Sequence, residues 1–308
     1  MKQRIAFFLL LGALLALATV GHWYLWNYRP VGRGPAGPIV PREPFRRAWS
    51  PRKTLLLGVG DSITAGFRAR PGHGYFDLLA ANPPDEFDGL RGICLKAVFP
   101  QLRTLNLAVS GSTSLEHLEI LKRKLAPQDA DVLGIVVMTT GGNDLLQSYG
   151  RQPPREGAMF GATLEQAQPW IKNFQKRLDA MVDLLESRFP GGCHVFLADI
   201  YDPTDGLADV SHAGLPSWND GYHLHRAYND VIDRCARRRS KVHLVPIYRE
   251  FLGHGIHCTQ FWRSNYCLAD PHDWFYDNLE DPNSRGHDAI RRVFLLEISR
   301  TFQAIKSP

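Results

Sequence analysis

The chain has 308 residues, of which 44% are hydrophobic and 22% charged, values suited to one large globular domain or two small ones. Its net charge of +5 does not point to a nucleic-acid partner. Nine of the 36 Lys and Arg but only one of the 31 Asp and Glu, Glu43, lie in residues 1–53, so the rest holds 27 basic and 30 acidic residues and is net negative at −3.

Lys2 and Arg4 precede an apolar run, Ile5–Trp26, broken only by Thr19 and His22. A run of 22 residues spans a hydrocarbon core of about 30 Å. Trp23, Tyr24 and Trp26 fall where an interfacial aromatic belt is expected, and Arg29 follows. Ala16-Leu17-Ala18 has the small-residue form of a signal cleavage site, which would release a secreted protein. The apolar run continues past it, which favours an uncleaved transmembrane anchor over 1–26 with the body extracytoplasmic. Basic residues next to such a span face anionic lipid. Residues 27–53, rich in Pro, Gly and Arg, read as a linker or a strap on the surface, and the body is expected over 54–308.

Within the body, short apolar runs alternate with amphipathic stretches. Strands are expected at Leu55–Val59, Leu105–Val109, Asp131–Met138, Cys193–Ile200 and Val242–Ile247. Helices are expected at Tyr75–Ala81, Leu115–Leu125, Leu164–Phe189, Tyr222–Arg239 and Ser284–Ile305, with long polar loops over 201–221 and 253–282. Buried strands separated by helices give a parallel sheet covered on both faces, whose ligands sit at the carboxyl ends of the strands. Ser62, Gly111 and Asn143 each follow a strand, so three segments bring polar groups to one edge. Singly, Ser62 reads equally as a helix cap, Gly111 as a turn glycine and Asn143 as an Asx turn. Together they supply what acyl transfer needs: a nucleophile, and donors for an oxyanion from the Ser62 and Gly111 N–H groups and the Asn143 amide.

GDSI at 60–63, the glycine of AVSGSTS at 108–114 and GGND at 141–144 resemble blocks I to III of the GDSL-type, or SGNH, hydrolases. The resemblance runs from Thr54 to about Phe302. It implies a flavodoxin-like three-layer α/β/α fold with a central parallel sheet of about five strands, and esterase or deacylase chemistry without a cofactor or metal. It makes Ser62 the nucleophile and Ser62, Gly111 and Asn143 the oxyanion hole, and leaves Asp61 outside the triad. The family places its catalytic Asp and His in a D-x-x-H-P block before the last helix. Here that stretch reads Asp277-Asn278-Leu279-Glu280-Asp281-Pro282-Asn283-Ser284-Arg285-Gly286-His287, with Asp281 where the histidine belongs. Three readings follow. His272 swings over Ser62 with Asp270 or Asp277 orienting it, His287 serves from the start of the last helix, or the site has no base.

His254, His257, Cys258 and Cys267 do not have the spacing of a zinc site. Cys258 and Cys267 are near enough in sequence to bridge in an oxidising compartment. Trp218, Trp262, Trp274 and Tyr276 lie in the long loops, where they either line a cleft or pack half-buried. The expected function is a serine esterase or deacylase acting on glycan or lipid acyl esters of the cell envelope. The alternative is a catalytically silent domain that binds a glycan or a protein at the same edge. An apolar slot beside Ser62 would point to lipid acyl chains, an open cleft to glycans.

Overall fold

The computed structural model describes residues 2–306. Its elements are, in order, α1 (Lys2–Trp26), β1 (Thr54–Val59), α2 (Ser62–Ala65), α3 (Tyr75–Ala80), α4 (Leu95–Val98), β2 (Leu102–Asn106), α5 (Ser114–Lys124), β3 (Leu133–Met138), α6 (Gly142–Leu146), α7 (Leu164–Arg188), β4 (Cys193–Ala198), α8 (Gly221–Arg238), β5 (Val242–Val245), α9 (Ile247–Phe251) and α10 (Ser284–Lys306). The strands form one parallel sheet in the order β2-β1-β3-β4-β5. That is the flavodoxin-like order expected from the sequence.

Strand alternation builds the two cores. Leu56, Ile135, Val137 and Phe196 point to one face, where α3, α10 and part of the segment before β1 cover them. Leu55, Leu57, Val136, Met138 and Leu197 point to the other, under α5, α7 and α8. β1 and β3 are buried along their whole length, which is why they read as unbroken apolar runs. β2 begins three residues earlier than the apolar pattern predicts. As an edge strand it leaves Arg103 and Thr104 exposed, so polar residues take part in its ladder with β1. The apolar Leu107 and Val109 follow the ladder and still bond back, from their N–H groups to the Gly58 and Gly60 carbonyls at 2.8 and 2.9 Å.

The segment between α1 and β1 lies across the amino end of α10. The Arg285 guanidinium donates to the carbonyls of Arg33, Gly34 and Pro35 (2.7–3.2 Å), and the Ala36 N–H donates to Asp288 at 2.9 Å. A Cβ on Gly37 would come within 2.6 Å of the Ala289 backbone, so the two segments are in direct contact. Further along, Phe45 and Trp49 enter the core, Trp49 against Phe99 and Phe302. These are few residues in a Pro- and Arg-rich stretch, which is why its composition hides their burial.

The last turn of α1 meets the body. Its terminal carbonyls, which no helical N–H can reach, are met by side chains of the 201–221 and 253–282 loops. Thr259 Oγ1 donates to Tyr24 and Leu25, Gln260 Nε2 donates to Leu25 at 3.1 Å, and His212 Nε2 donates to Trp26 at 2.8 Å. Trp26 and Trp262 lie with ring centres 5.2 Å apart. All five cysteines are free thiols, so Cys258 and Cys267 do not form the bridge their spacing allows.

Trp49→Ala is expected to cost about 3–5 kcal/mol, the usual range for emptying a buried tryptophan site. Urea unfolding of the Trp49→Ala and native chains checks this, and a loss below about 1 kcal/mol would remove Trp49 from the core.

Candidate active site

β1 delivers Ser62 through Gly60, whose φ of 141° suits glycine. A Cβ there would lie 2.3 Å from the Thr139 carbonyl oxygen, so the end of β1 touches the end of β3. Asp61 then caps α2, its Oδ1 accepting from the Ile63 N–H at 3.2 Å and from Thr139 Oγ1 at 2.9 Å. Thr64 Oγ1 is 2.8 Å from Thr139 Oγ1 and 2.7 Å from the Tyr75 hydroxyl. Since Thr139 spends its proton on the carboxylate, the chain runs Tyr75 to Thr64 to Thr139 to Asp61, each hydroxyl donating once. Burial pushes Asp61 up to about 6, against the bonds it accepts, with the nearby Asp281 adding to the rise. Burial also pushes the Tyr75 hydroxyl up.

Gly111 sits just past the extension of β2 with φ 78°, exposed at the sheet edge, its backbone open to approach. Ser112 Oγ anchors this loop on the Val109 carbonyl at 2.6 Å. Asn143, in the first turn of α6, donates from Nδ2 to the Ser112 carbonyl at 2.9 Å. Next to it, Asp144 is fully buried and accepts from Ser114 N–H (2.8 Å) and Oγ (2.5 Å). Burial raises the Asp144 pKa despite these bonds and the Arg177 guanidinium 3.6 Å away. His117 bridges Ser112 Oγ and Thr140 Oγ1, both at 2.9 Å, and burial lowers it to about 4, so it is a neutral strut at pH 7. Thr139, His117 and Arg177 were not legible as site residues. His117 lies on the helical face of α5 among apolar neighbours, where it reads as core.

The last block is arranged differently. His272 Nδ1 pairs with Asp270 Oδ1 at 2.6 Å, and its ring packs on Gly32 of the strap. The other Asp270 oxygen is held by Arg285. The bonds from His272 and Arg285 overcome burial and hold the Asp270 carboxyl below its usual range. His287 is fully buried under the turn that follows α2, its Nδ1 accepting from the Tyr75 N–H at 3.3 Å and its Nε2 without a hydrogen bond among the described residues. Burial lowers His287 to about 4. Asp277 is exposed. Asp281 is buried, with Oδ2 accepting from Asn278 Nδ2 at 2.7 Å and Oδ1 unpartnered. Its charge contributes to raising both Asp61 and Tyr201, whose first cause is burial. Ser62 Oγ makes no hydrogen bond among the described residues, to histidine or otherwise. His254 stacks on Trp274 at 3.5 Å, with burial lowering it to about 4, and His257 Nε2 pairs with Asp209 at 2.9 Å. Among the described residues, no three His, Cys, Asp or Glu side chains gather as metal ligands.

Next to Asn143 in sequence, Gly142 and Leu145 help line an apolar cavity of about 80 Å³ whose walls also include Ile200, Leu215 and Trp218 and residues of the 203–215 loop. Trp218 spends its indole N–H on the Ala162 carbonyl at 2.8 Å and presents a ring to this space.

The sequence pattern of the GDSL-like Lipase/Acylhydrolase family matches residues 59–289, well over half of the chain. The chain belongs to that family. Solved structures align with this family member at low identity. A member of the lipolytic G-D-S-L family from Veillonella parvula is 14% identical, with 80% of this chain and 99% of that one covered and a TM-score of 0.48. A psychrotrophic esterase from Pseudoalteromonas sp. is 17% identical, with 82% and 99% covered and a TM-score of 0.45. An acetylxylan esterase from Geobacillus stearothermophilus is 18% identical, with 80% and 94% covered and a TM-score of 0.46. No curated protein matches the chain in sequence.

A carboxyl raised on folding favours the folded state below its unfolded pKa and loses that advantage as pH rises through its folded value. Asp61, raised from 3.8 to about 6, therefore costs stability between those values. Asp61→Asn keeps the cap without the titration. Its stability relative to the native chain is expected to improve by roughly 2–3 kcal/mol from about pH 4 to about pH 7.5. Denaturant unfolding at both pH values measures this, and a difference independent of pH would mean that Asp61 is not raised.

Proposed function

We propose that this chain is an esterase with Ser62 as nucleophile and the Ser62 N–H, the Gly111 N–H and Asn143 Nδ2 as oxyanion donors. The observation that supports this best is the tying of three loops to one another at the sheet edge. Gly60 rests on Thr139, Val109 bonds to Gly60, and Asn143 bonds to Ser112. Donors fixed in this way stabilise a developing oxyanion without reorganising. Ser62 Oγ attacks the ester carbonyl, the carbonyl oxygen takes the negative charge, the alcohol leaves with a proton, and water frees the acyl group.

The apolar cavity beside Asn143 supports an acyl chain of medium length or longer as the group transferred. Burying each CH₂ adds about 0.8 kcal/mol. Octanoyl esters are therefore expected to exceed acetyl esters in kcat/KM by about 10-fold or more, and Leu215→Trp is expected to shift the preference back to short chains. Equal rates on both esters would detach the cavity from the substrate.

Three groups compete for the Ser62 proton: His272 with Asp270 behind it, His287, and Asp281 in the family's histidine position. A second reading, a silent domain binding a glycan or a protein, is supported by the absence of an imidazole on Ser62 Oγ among the described residues. Chromogenic ester hydrolysis by the full chain and by Ser62→Ala, Asn143→Ala, His272→Ala, His287→Ala and Asp281→Asn decides among them. We expect no turnover in Ser62→Ala, a loss of about 10²–10³ in kcat for Asn143→Ala, and a loss in one of the last three that names the base. No turnover dependent on Ser62 with any acyl chain would leave the binding domain.

The same reading takes α1 as a retained anchor. It is long and apolar enough to span a membrane, and its body-side carbonyls are met by donors of the folded domain, which a cleaved signal would not need.

A further inference from the structure

We propose that the loops over the active-site edge form a docking face for the membrane surface itself, so that the carboxyl edge of the sheet looks onto the bilayer. This rests on the anchor reading of α1 and is independent of the hydrolase chemistry.

The geometry follows from how α1 ends. A spanning helix releases its last turn in the headgroup region, and here that turn has no free tether. Its carbonyls are bonded directly to His212, Thr259 and Gln260. These donors sit in the connections that follow β4 and β5, and both connections leave the carboxyl edge, where Ser62 also lies. The loops are therefore held at the depth of the helix end.

What they expose there fits a lipid interface. Phe261, Trp262 and Leu268 are 66%, 45% and 81% exposed, and Leu207, joined to that stretch through the bond from Asn265 to the Asp205 carbonyl, is 39% exposed. Trp262 lies against Trp26 of α1, so the aromatic belt of the helix continues onto the body without a break. Four large apolar side chains at such a position would be unusual on a surface facing water. The loop is firm enough to hold them. Asp205 accepts from the N–H groups of Gly253, Gly255 and His257 at 2.8–2.9 Å, which clamps the two connections together. The same connections roof the apolar cavity, whose lining includes Ala208, Val210 and Ile256. An acyl chain leaving the bilayer would enter without crossing water.

The test uses the full chain in vesicles of phosphatidylcholine with phosphatidylglycerol. In a Cys267→Ser background, which prevents labelling of that half-exposed thiol, an environment-sensitive fluorophore is placed on a cysteine at position 268 (Leu268→Cys), and in a second protein at position 241 (Lys241→Cys), beyond the amino edge of the sheet. Lipids carrying a shallow nitroxide quench probes near the headgroups. We expect emission at 268 to shift to the blue and to be quenched at least about threefold more than at 241, since only the former reaches the interface. Protein that floats with the vesicles but shows equal quenching at both positions overturns the docking face alone. Protein that fails to float overturns the anchor and the docking face together. Neither readout requires turnover, so the docking face stands or falls by them even in a chain that hydrolyses nothing.

Discussion

The close approach of Gly60 to the Thr139 carbonyl is the constraint on which the rest of the edge depends. It brings the ends of the two central strands into contact, and the polar chain from Tyr75 to Asp61 then closes over that contact. A side chain at position 60 would force β1 and β3 apart and break the bond from Thr139 to Asp61, and with it the cap that starts α2 at Ser62. Ser62 is thus placed from beneath by buried hydroxyls, while its Oγ has no hydrogen-bond partner among the described residues. Rigid support beneath a free hydroxyl is the arrangement that a preorganised site would require.

The second and third loops are secured by a separate set. Asp144 takes two bonds from Ser114 and faces Arg177, and His117 ties Ser112 to Thr140. A buried carboxylate and a buried imidazole are expensive to desolvate, so each has to be met by specific donors or acceptors. Their position under the Gly111 and Asn143 loops makes those loops stiff. The last block contrasts with this order. Asp281 keeps one oxygen unpartnered and adds its charge next to Asp61, so two carboxyl groups share a poorly solvated space in which their charges oppose each other.

Much of this was legible in the chain and some was not. Strands β1 and β3 read as apolar runs because both faces are covered, and β4 departs from that only at the half-buried His194, so reading them needs only burial. The serine, glycine and asparagine that follow β1, β2 and β3 stand in order because parallel strands all deliver their ends to one side. β2 was displaced by three residues because an edge strand needs no apolar partner on its open side. Phe45 and Trp49 were hidden by the prolines and arginines around them, which composition weighs equally with the few residues that pack. His117 and Arg177 could not be found from spacing, since their partners come from other loops and only the fold brings them together. The neighbours of His272 and His287 were also out of reach, because whether a loop histidine meets a serine or a strap depends on side-chain directions that no linear pattern records.

The strap has a consequence for the order of events in this chain's life. Arg33, Gly34 and Pro35 are held by Arg285, Ala36 by Asp288, and Trp49 by Phe302, so the beginning of the body is completed by its final helix, some 250 residues away along the chain. Contacts of such separation form late, since the loop they close is nearly the whole domain. Until α10 has been synthesised, one face of the sheet has neither α10 nor the strap over it, and the domain cannot lock. A polypeptide built in this way needs α10 to close its sheet, so a chain cut before Ser284 lacks the partners of its own strap.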